Sequence, residues 1–351
     1  MKTHPFPALR GGAFALLAAL LFGVSTPLVQ LAGRGVGAFA TACLLYVGAA
    51  LMGAALRRPV EREAALRRED LGRLALMAAC GAVVGPVALA WGLQHTSGTG
   101  ASLMLTLEAL FTAVLARVLY GETMDRRVRT ALLLLLVGGV ALVVDRGLSG
   151  HVELAGLLAV LAATAAWGID NTLSRALAER DPGQVVLVKS ALGGVATGLL
   201  AFAATEHAPP FAQGLALLGI GALGYGLSLR LYLLAQRAFG AARTGSVFAF
   251  APFVGAVVAV ALGDRSVTWG VAAGALLMLA GIVLHLLESH GHPHEHEALE
   301  HEHAHAHDDG HHDHAHPPGS SPAGAHSHRH RHEPRRHAHA HTPDIHHAHR
   351  H

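Results

Sequence analysis

Two groups of residues in this chain are of types that do chemistry. Of its 28 histidines, 23 lie at or after His290, first in the run HGHPHEHEALEHEHAHAHDDGHHDHAH and again beyond a Pro/Gly/Ser stretch at 317–324. His-X-His spacing sets residues i and i+2 on one side of an extended chain. A flexible segment can then gather several imidazoles around one ion, and with Asp and Glu nearby the donor set suits Zn, Ni, Co or Cu. The candidate ligands are His290, His292, His294, His296, His301, His303, His305, His307, His311, His312, His314 and His316. A purification tag would be a short unbroken histidine run, which this is not. Protonated imidazole cannot ligate, so affinity falls with acid. Below about pH 6 the tail also becomes strongly cationic, which gives it a rival role as a pH-dependent contact with anionic lipid.

The second group is ionisable and sits inside apolar stretches: Glu108, Asp170, Lys189 and Arg230. In a bilayer each such charge costs about 3 kcal/mol on insertion scales unless it is paired or wet, so each is a functional candidate. Two acids and two bases sum to zero, which points to mutual neutralisation. Glu108 lies deepest. It reads either as a cavity group that takes a proton or meets a cationic solute, or as one half of an ion pair with Lys189 or Arg230. Asp170 and Asn171 read as cavity lining, as do Ser25 and Thr26 at the matching place earlier in the chain; the competing reading is hydrogen bonding that holds helices together. Lys189 and Arg230, nearer their helix ends, either contact solute or snorkel to the interface, and Arg117 snorkels. Trp91, Trp167, Tyr225 and Tyr232 either stack on a solute or, as aromatics near span ends more often do, anchor the helices at the interface.

The elements that must carry these groups follow from composition. Residues 1 to about 288 are dominated by Ala, Leu, Gly and Val, and residues 289–351 hold almost no large apolar side chains, so the mean hydropathy of +0.40 averages two regimes. A soluble fold would need polar helix faces that are missing here. Cys43 and Cys80 fall in apolar runs and read as small buried hydrophobes. The first apolar run lacks a clear cleavage site and is expected to be a retained span. At about 20 apolar residues per crossing, the chain gives spans near 11–32, 36–56, 71–92, 97–120, 130–145, 154–177, 184–204, 212–236, 244–262 and 267–287. With the N-terminus inside, the inner segments hold fifteen Lys and Arg and the outer loops three (Arg34, Arg146, Arg265). That excess sets the direction and places both termini in the cytoplasm.

The first five spans match the last five. FGVSTPLVQ (22–30) aligns with WGIDNTLSR (167–175), TGAS (99–102) with TGSV (244–247), GETM (121–124) with GDRS (263–266), and VGGVALVV (137–144) with LAGIVLHL (279–286). Units of five spans must be inverted relative to each other, an arrangement many secondary transporters use. GASLMLTLEALFTAVLARVLYGE (100–122) and ARTGSVFAFAPFVGAVVAVALGD (242–264) resemble the EamA-type family of the drug/metabolite transporter superfamily, and WGIDNTLSRALAERDPGQVVLVKSALGG (167–194) followed by the histidine-rich tail resembles one bacterial branch of it. The resemblance implies ten helices in two inverted five-helix units, cytoplasmic termini and transport of small metabolites. Pro252 stands where that family's fourth-helix proline belongs in the second half, but the first half has Leu110 there.

The expected fold is therefore an all-α membrane protein: a first repeat over 1–145, a second, inverted one over 146–288, and a disordered His-rich cytoplasmic tail over 289–351. The expected function is a secondary transporter, by the resemblance an exporter, of a small metabolite across a bacterial inner membrane. The alternatives are transition-metal transport, or metal sensing by a bundle that no longer transports. No nucleotide-binding motif, nucleophile–base pair or paired carboxylates stand out, so neither ATP-driven transport nor an enzyme is expected. The expected partners are the bilayer, a small solute and a divalent metal ion at the tail; no nucleic acid is expected, and a homodimer is left open. No cofactor is required.

Overall fold

Long runs of Ala, Leu and Val satisfy their own backbone hydrogen bonds only as helices when no water is present. The structure, a computed structural model, describes residues 6–58, 63–120, 124, 126–177, 180–239, 241–286, 290–296, 299–305, 326–332 and 335–341. Among them nine helical stretches are long and apolar enough to cross a membrane: α1 (Gly11–Ala32), α2 (Ala38–Ala55), α3 (Arg68–Leu93), α4 (Gly98–Leu119), α5 (Arg126–Asp145), α6 (His151–Leu177), α7 (Pro182–Ala203), α8 (Phe211–Arg237) and α9 (Thr244–Ala261). The tenth, α10, is a shorter apolar helix (Trp269–Leu284). The bounds follow the expected spans closely except in α5, which starts at Arg126 instead of near 130. An arginine can lie along an apolar helix and still reach the interface, so a span is not cut where its charges begin.

The packing shows how the repeats interlock. Helix α1 packs on α8 and α9, and α2 packs on α8; correspondingly α6 packs on α3 and α4, and α7 packs on α3. Exchanging each helix of the first set for the one five places away in the other half generates the second, as an inverted repeat requires. Each bundle, {α1, α2, α8, α9} or {α3, α4, α6, α7}, thus draws on both halves of the chain. They meet along α2–α7 and α4–α9, and α5 packs on α10. Close approach is bought with glycine: a side chain at Gly48 would run into the backbone of Leu218 in α8, and one at Gly193 into Ala82 in α3.

Irregular turns are also paired. Helix α3 widens to a π-helical turn at Ala79–Val84, and α8 does so at Gly221–Leu227. Such turns re-aim side chains and often occur at functional sites. Helix α4 tightens to a 3-10 turn at Leu105–Leu107, just ahead of Glu108, and α9 has a turn at Ala249 and Phe250, just ahead of Pro252. The missing proline in the first half therefore does not leave α4 regular.

His290–His296 pairs antiparallel with Arg335–His341, and Leu299–His305 with His326–His332. Strict alternation has the two-residue period of a strand, and the register sets Glu300 opposite Arg331 and Glu302 opposite Arg329. Two-stranded ladders without an apolar face to cover are marginal in water, so they do not amount to a packed domain. His307, His311, His312, His314 and His316 lie outside the described residues, as do Gly121, Glu122 and Thr123 of the GETM match.

Candidate functional site

Glu108, Asp170 and Lys189 converge on one cavity of about 50 Å³ between the two bundles. From α1 comes Phe22, from α2 Tyr46 and from α9 Phe248; the π-turn of α8 and the turns after it supply Gly224, Tyr225, Ser228, Leu229 and Tyr232. On the opposite wall stand Glu108 of α4, Trp167, Asp170 and Asn171 of α6, and Lys189 of α7. One wall is thus mostly aromatic and carries no formal charge. The other carries two carboxylates and one ammonium.

The charged wall is internally connected. Lys189 Nζ donates to Asp170 Oδ2, and both side chains are nearly inaccessible, at 3% and 5%. Asn171 Nδ2 donates to Glu108 Oε1. Trp167 Nε1 donates to the Gly81 carbonyl in the π-turn of α3 at 2.9 Å, and the Tyr46 hydroxyl donates to the same oxygen. Gly81 is required where it stands, because any side chain there would strike the Asp170 carboxylate. The equivalent contact in the other bundle is Gly224 against Ser25. Two polar atoms of the lining are buried without a hydrogen-bond partner, Asp170 Oδ1 and Tyr225 Oη. The rings form a continuous set: Phe22 lies 5.6 Å from Trp167, 5.8 Å from Tyr225 and 5.4 Å from Phe248, and Tyr46 lies 5.6 Å from Tyr225.

Both ends of the bundle are tied. At the end where α3 and α7 begin, Arg180 Nε meets Asp70 Oδ2 at 2.9 Å and Arg237 Nη1 meets Glu63 Oε2 at 2.8 Å. At the other end, Asp264 Oδ2 accepts from Thr99 N and Oγ1, each at 2.8 Å, and Glu206 accepts from Phe39 N (3.3 Å) and Ala40 N (2.7 Å) at the start of α2. These carboxylates sit where helix N-termini favour negative charge. Burial alone would raise the Asp264 carboxyl, but hydrogen bonds from Ser266 and Thr99 outweigh it and hold the group below the usual carboxylate range. At about 50 Å³ the cavity holds a few waters and no metabolite, so its walls must part to admit one.

Of the residues singled out from sequence, the structure brings together Glu108, Asp170, Asn171 and Lys189. It pairs Lys189 with Asp170 rather than with Glu108. Ser25 is buried behind the aromatic wall, its hydroxyl donating to the Phe22 carbonyl at 2.6 Å, and Thr26 is buried; neither lines the cavity. Arg230 does not reach the cavity either, since its charged surroundings are Arg58, Asp181, Glu63 and Arg237 at the helix ends. Its long side chain carries the guanidinium toward the interface. Of the four aromatics given as solute-stacking or anchoring, Trp167, Tyr225 and Tyr232 line the cavity, and Trp91 is exposed and stacked on His95 with centroids 4.1 Å apart. Phe22, Tyr46 and Phe248 were not indicated by sequence, because an aromatic residue in an apolar run carries no mark of the face it occupies. Among the described residues no three His, Cys, Asp or Glu side chains are grouped to hold a metal ion.

A family model described as the EamA-like transporter family matches residues 9–144 and 154–287, one match in each half. An uncharacterized transporter of Methanothermobacter thermautotrophicus is 30% identical over 210 residues, which cover 58% of this chain and 61% of that protein. A probable amino-acid metabolite efflux pump of Salmonella typhimurium is 28% identical over 203 residues, 53% of this chain and 66% of that protein. The matched region therefore spans somewhat under two-thirds of either relative. A protein of known crystal structure shares the fold at a TM-score of 0.59 with 17% identity, covering 80% of this chain and 98% of that one.

Proposed function

The chain belongs to the EamA-like transporter family, and we propose that it is a secondary transporter that exports a small metabolite through the cavity between its two bundles. The observation that carries this reading is the cavity itself: a buried ion pair and a further carboxylate, contributed by α4, α6 and α7, lining a cavity between symmetry-related bundles. Buried charge of this kind is costly and marks solute or ion pathways. Inverted repeats with a site between them support alternating access. The efflux pump of Salmonella typhimurium among the relatives supports the outward direction. The fifteen-to-three excess of Lys and Arg supports a cytoplasmic location for the end carrying residues 57–70, and with it both termini.

The test compares the solutes released by bacterial cells expressing the full chain with those from cells carrying an empty vector, followed by flux of the released solute from ATP-free proteoliposomes. A solute released only with the full chain, and moved without ATP, is expected. Folded, membrane-inserted protein that changes no external solute would refute the reading.

For the tail we propose transition-metal binding that buffers or regulates. What supports it is the His-X-His spacing, together with a backbone register that sets His292 opposite His339 and His303 opposite His328. Equilibrium dialysis with Zn or Ni should show tail-dependent binding that is lost on truncation after Glu288; equal binding by the truncated chain would refute it. Metal flux into vesicles that truncation abolishes would make the metal the cargo.

A further inference from the structure

The cavity wall is short of partners for its acceptors. Several of its donors already have acceptors inside the protein: Lys189 gives to Asp170 Oδ2, Asn171 to Glu108 Oε1, Trp167 and Tyr46 to the Gly81 carbonyl, and Ser228 to the Ala18 carbonyl. Asp170 Oδ1 has no partner although Asp170 is only 4% exposed, and the Tyr225 hydroxyl, at 6% exposure and able to donate or accept, makes no hydrogen bond of standard geometry. Buried polar atoms of this kind are unusual in a settled structure and ask for an explanation. The charge count leans the same way. Lys189 offsets Asp170, whereas the neighbour bonded to Glu108 is a neutral amide. A ligand matching this wall brings N–H donors and one positive charge.

The opposite wall fits the same group. Phe22 lies within 6 Å of both Tyr225 and Phe248, and Tyr232 lies 5.0 Å from Phe248. The negative face of an aromatic ring attracts a cation, most strongly where water is excluded. An anionic solute would meet two carboxylates and these ring faces, with one ammonium that is already engaged.

Resting on the transport reading above, we propose that the solute is a small monocationic organic amine, whose ammonium group is taken by Glu108 and Asp170 Oδ1 while its carbon frame lies against the aromatic wall. The ammonium has three donors, enough for both carboxylates and Tyr225 Oη. Asp170 keeps Lys189 on its other oxygen throughout.

The test uses one carbon frame in three charge states: phenethylamine (cation), phenylalanine (zwitterion) and 3-phenylpropionate (anion). Of the chain's three tryptophans, Trp91 and Trp269 are 41% and 92% exposed. Replacing both with Phe leaves Trp167 as a reporter in the cavity wall, read by its fluorescence in full-length protein in nanodiscs. Phenethylamine should bind at least tenfold more tightly than either analogue, and Glu108→Gln should weaken it at least tenfold. If Glu108→Gln does not fold, Phe248→Leu supplies the second check, with a several-fold loss for the amine alone. Phenylalanine binding as tightly as the amine would overturn the cation assignment and leave the transport reading standing. An amine affinity unchanged in folded Glu108→Gln would overturn it too. If no probe binds, the amine assignment falls, and solute release from cells decides separately whether transport falls with it.

Discussion

Removing Lys189 tests the site where its energetics are most exposed. Its ammonium is 3% accessible and its partner carboxylate 5%, so Lys189→Met leaves Asp170 buried with no opposite charge on Oδ2 and no partner on Oδ1. Breaking a buried pair from one side costs about 3–5 kcal/mol, whereas replacing both members by apolar groups is often close to neutral. The matched control is Asp170→Ala/Lys189→Met, with Ala at 170 because a longer side chain would press on Gly81. At roughly 2–4 °C per kcal/mol, the single variant should lose on the order of 10 °C in apparent Tm, and the double should recover at least half of that. The assay is thermal unfolding of detergent-purified protein, followed by size-exclusion recovery and by circular dichroism. A Lys189→Met variant within about 1 kcal/mol of the parent would show that Asp170 is not left uncompensated. A double variant no better than the single would show that packing, not charge, sets the cost.

Three further outcomes are expected. Gly48→Ala places a methyl group against the Leu218 carbonyl of α8 and should cost about 1–3 kcal/mol; Gly219→Ala on α8 meets nothing within 4 Å and should be neutral or better in the same unfolding assay. Asp264→Asn should weaken the tie to Thr99 and change the acid limb of stability. The folded carboxyl lies below its usual range, so its contribution is present above the unfolded value of about 4 and is lost as pH falls through the folded one. The parent should therefore lose stability below about pH 4 by an increment that Asp264→Asn lacks, and parallel pH–Tm curves would refute this. Arg237→Met should unpair Glu63 and loosen the segment after α2, seen as faster proteolysis at residues 57–70 with little change in the helices.

The spans could be read from sequence because a bilayer crossing needs a run of apolar residues that nothing else in the chain imitates, and the repeat because its four matches keep their order. Glu108, Asp170 and Lys189 stood out through the cost of placing charge in such runs. Their partners could not be read. A helix that is apolar all round has no periodic stripe to fix its rotation, so Lys189 was as free to meet Glu108 as Asp170. The same loss of phase hid the aromatic wall: Tyr225 lies within a π-turn, where side-chain direction departs from the regular helix. Arg230 misled for the opposite reason, since its position along the helix says little about where a long side chain ends.

The division of the cavity between bundles bears on how it could open without breaking what is buried. Asp170, Asn171, Lys189 and Glu108 all belong to α4, α6 and α7, within one bundle, while Phe22, Tyr46, Tyr225, Tyr232 and Phe248 belong to the other. Rocking one bundle against the other therefore need not separate the Asp170–Lys189 pair or the Glu108–Asn171 bond, either of which would be expensive to part in lipid. It would instead slide the charged wall past aromatic faces, whose contacts are non-directional and readily exchanged, and would have to give up the hydrogen bond from Tyr46 of α2 to the Gly81 carbonyl of α3. The seams that must give are α2–α7 and α4–α9, together with ties at the ends such as Asp264 to Thr99, which joins the loop after α9 to the start of α4. Spin labels placed across α4 and α9 at the Asp264 end should accordingly show two distance populations that shift on adding solute, while a pair within α6 and α7 shows one. A solute-dependent change within α6 and α7 would mean that the ion pair itself is the moving part, and this account of the opening would fail.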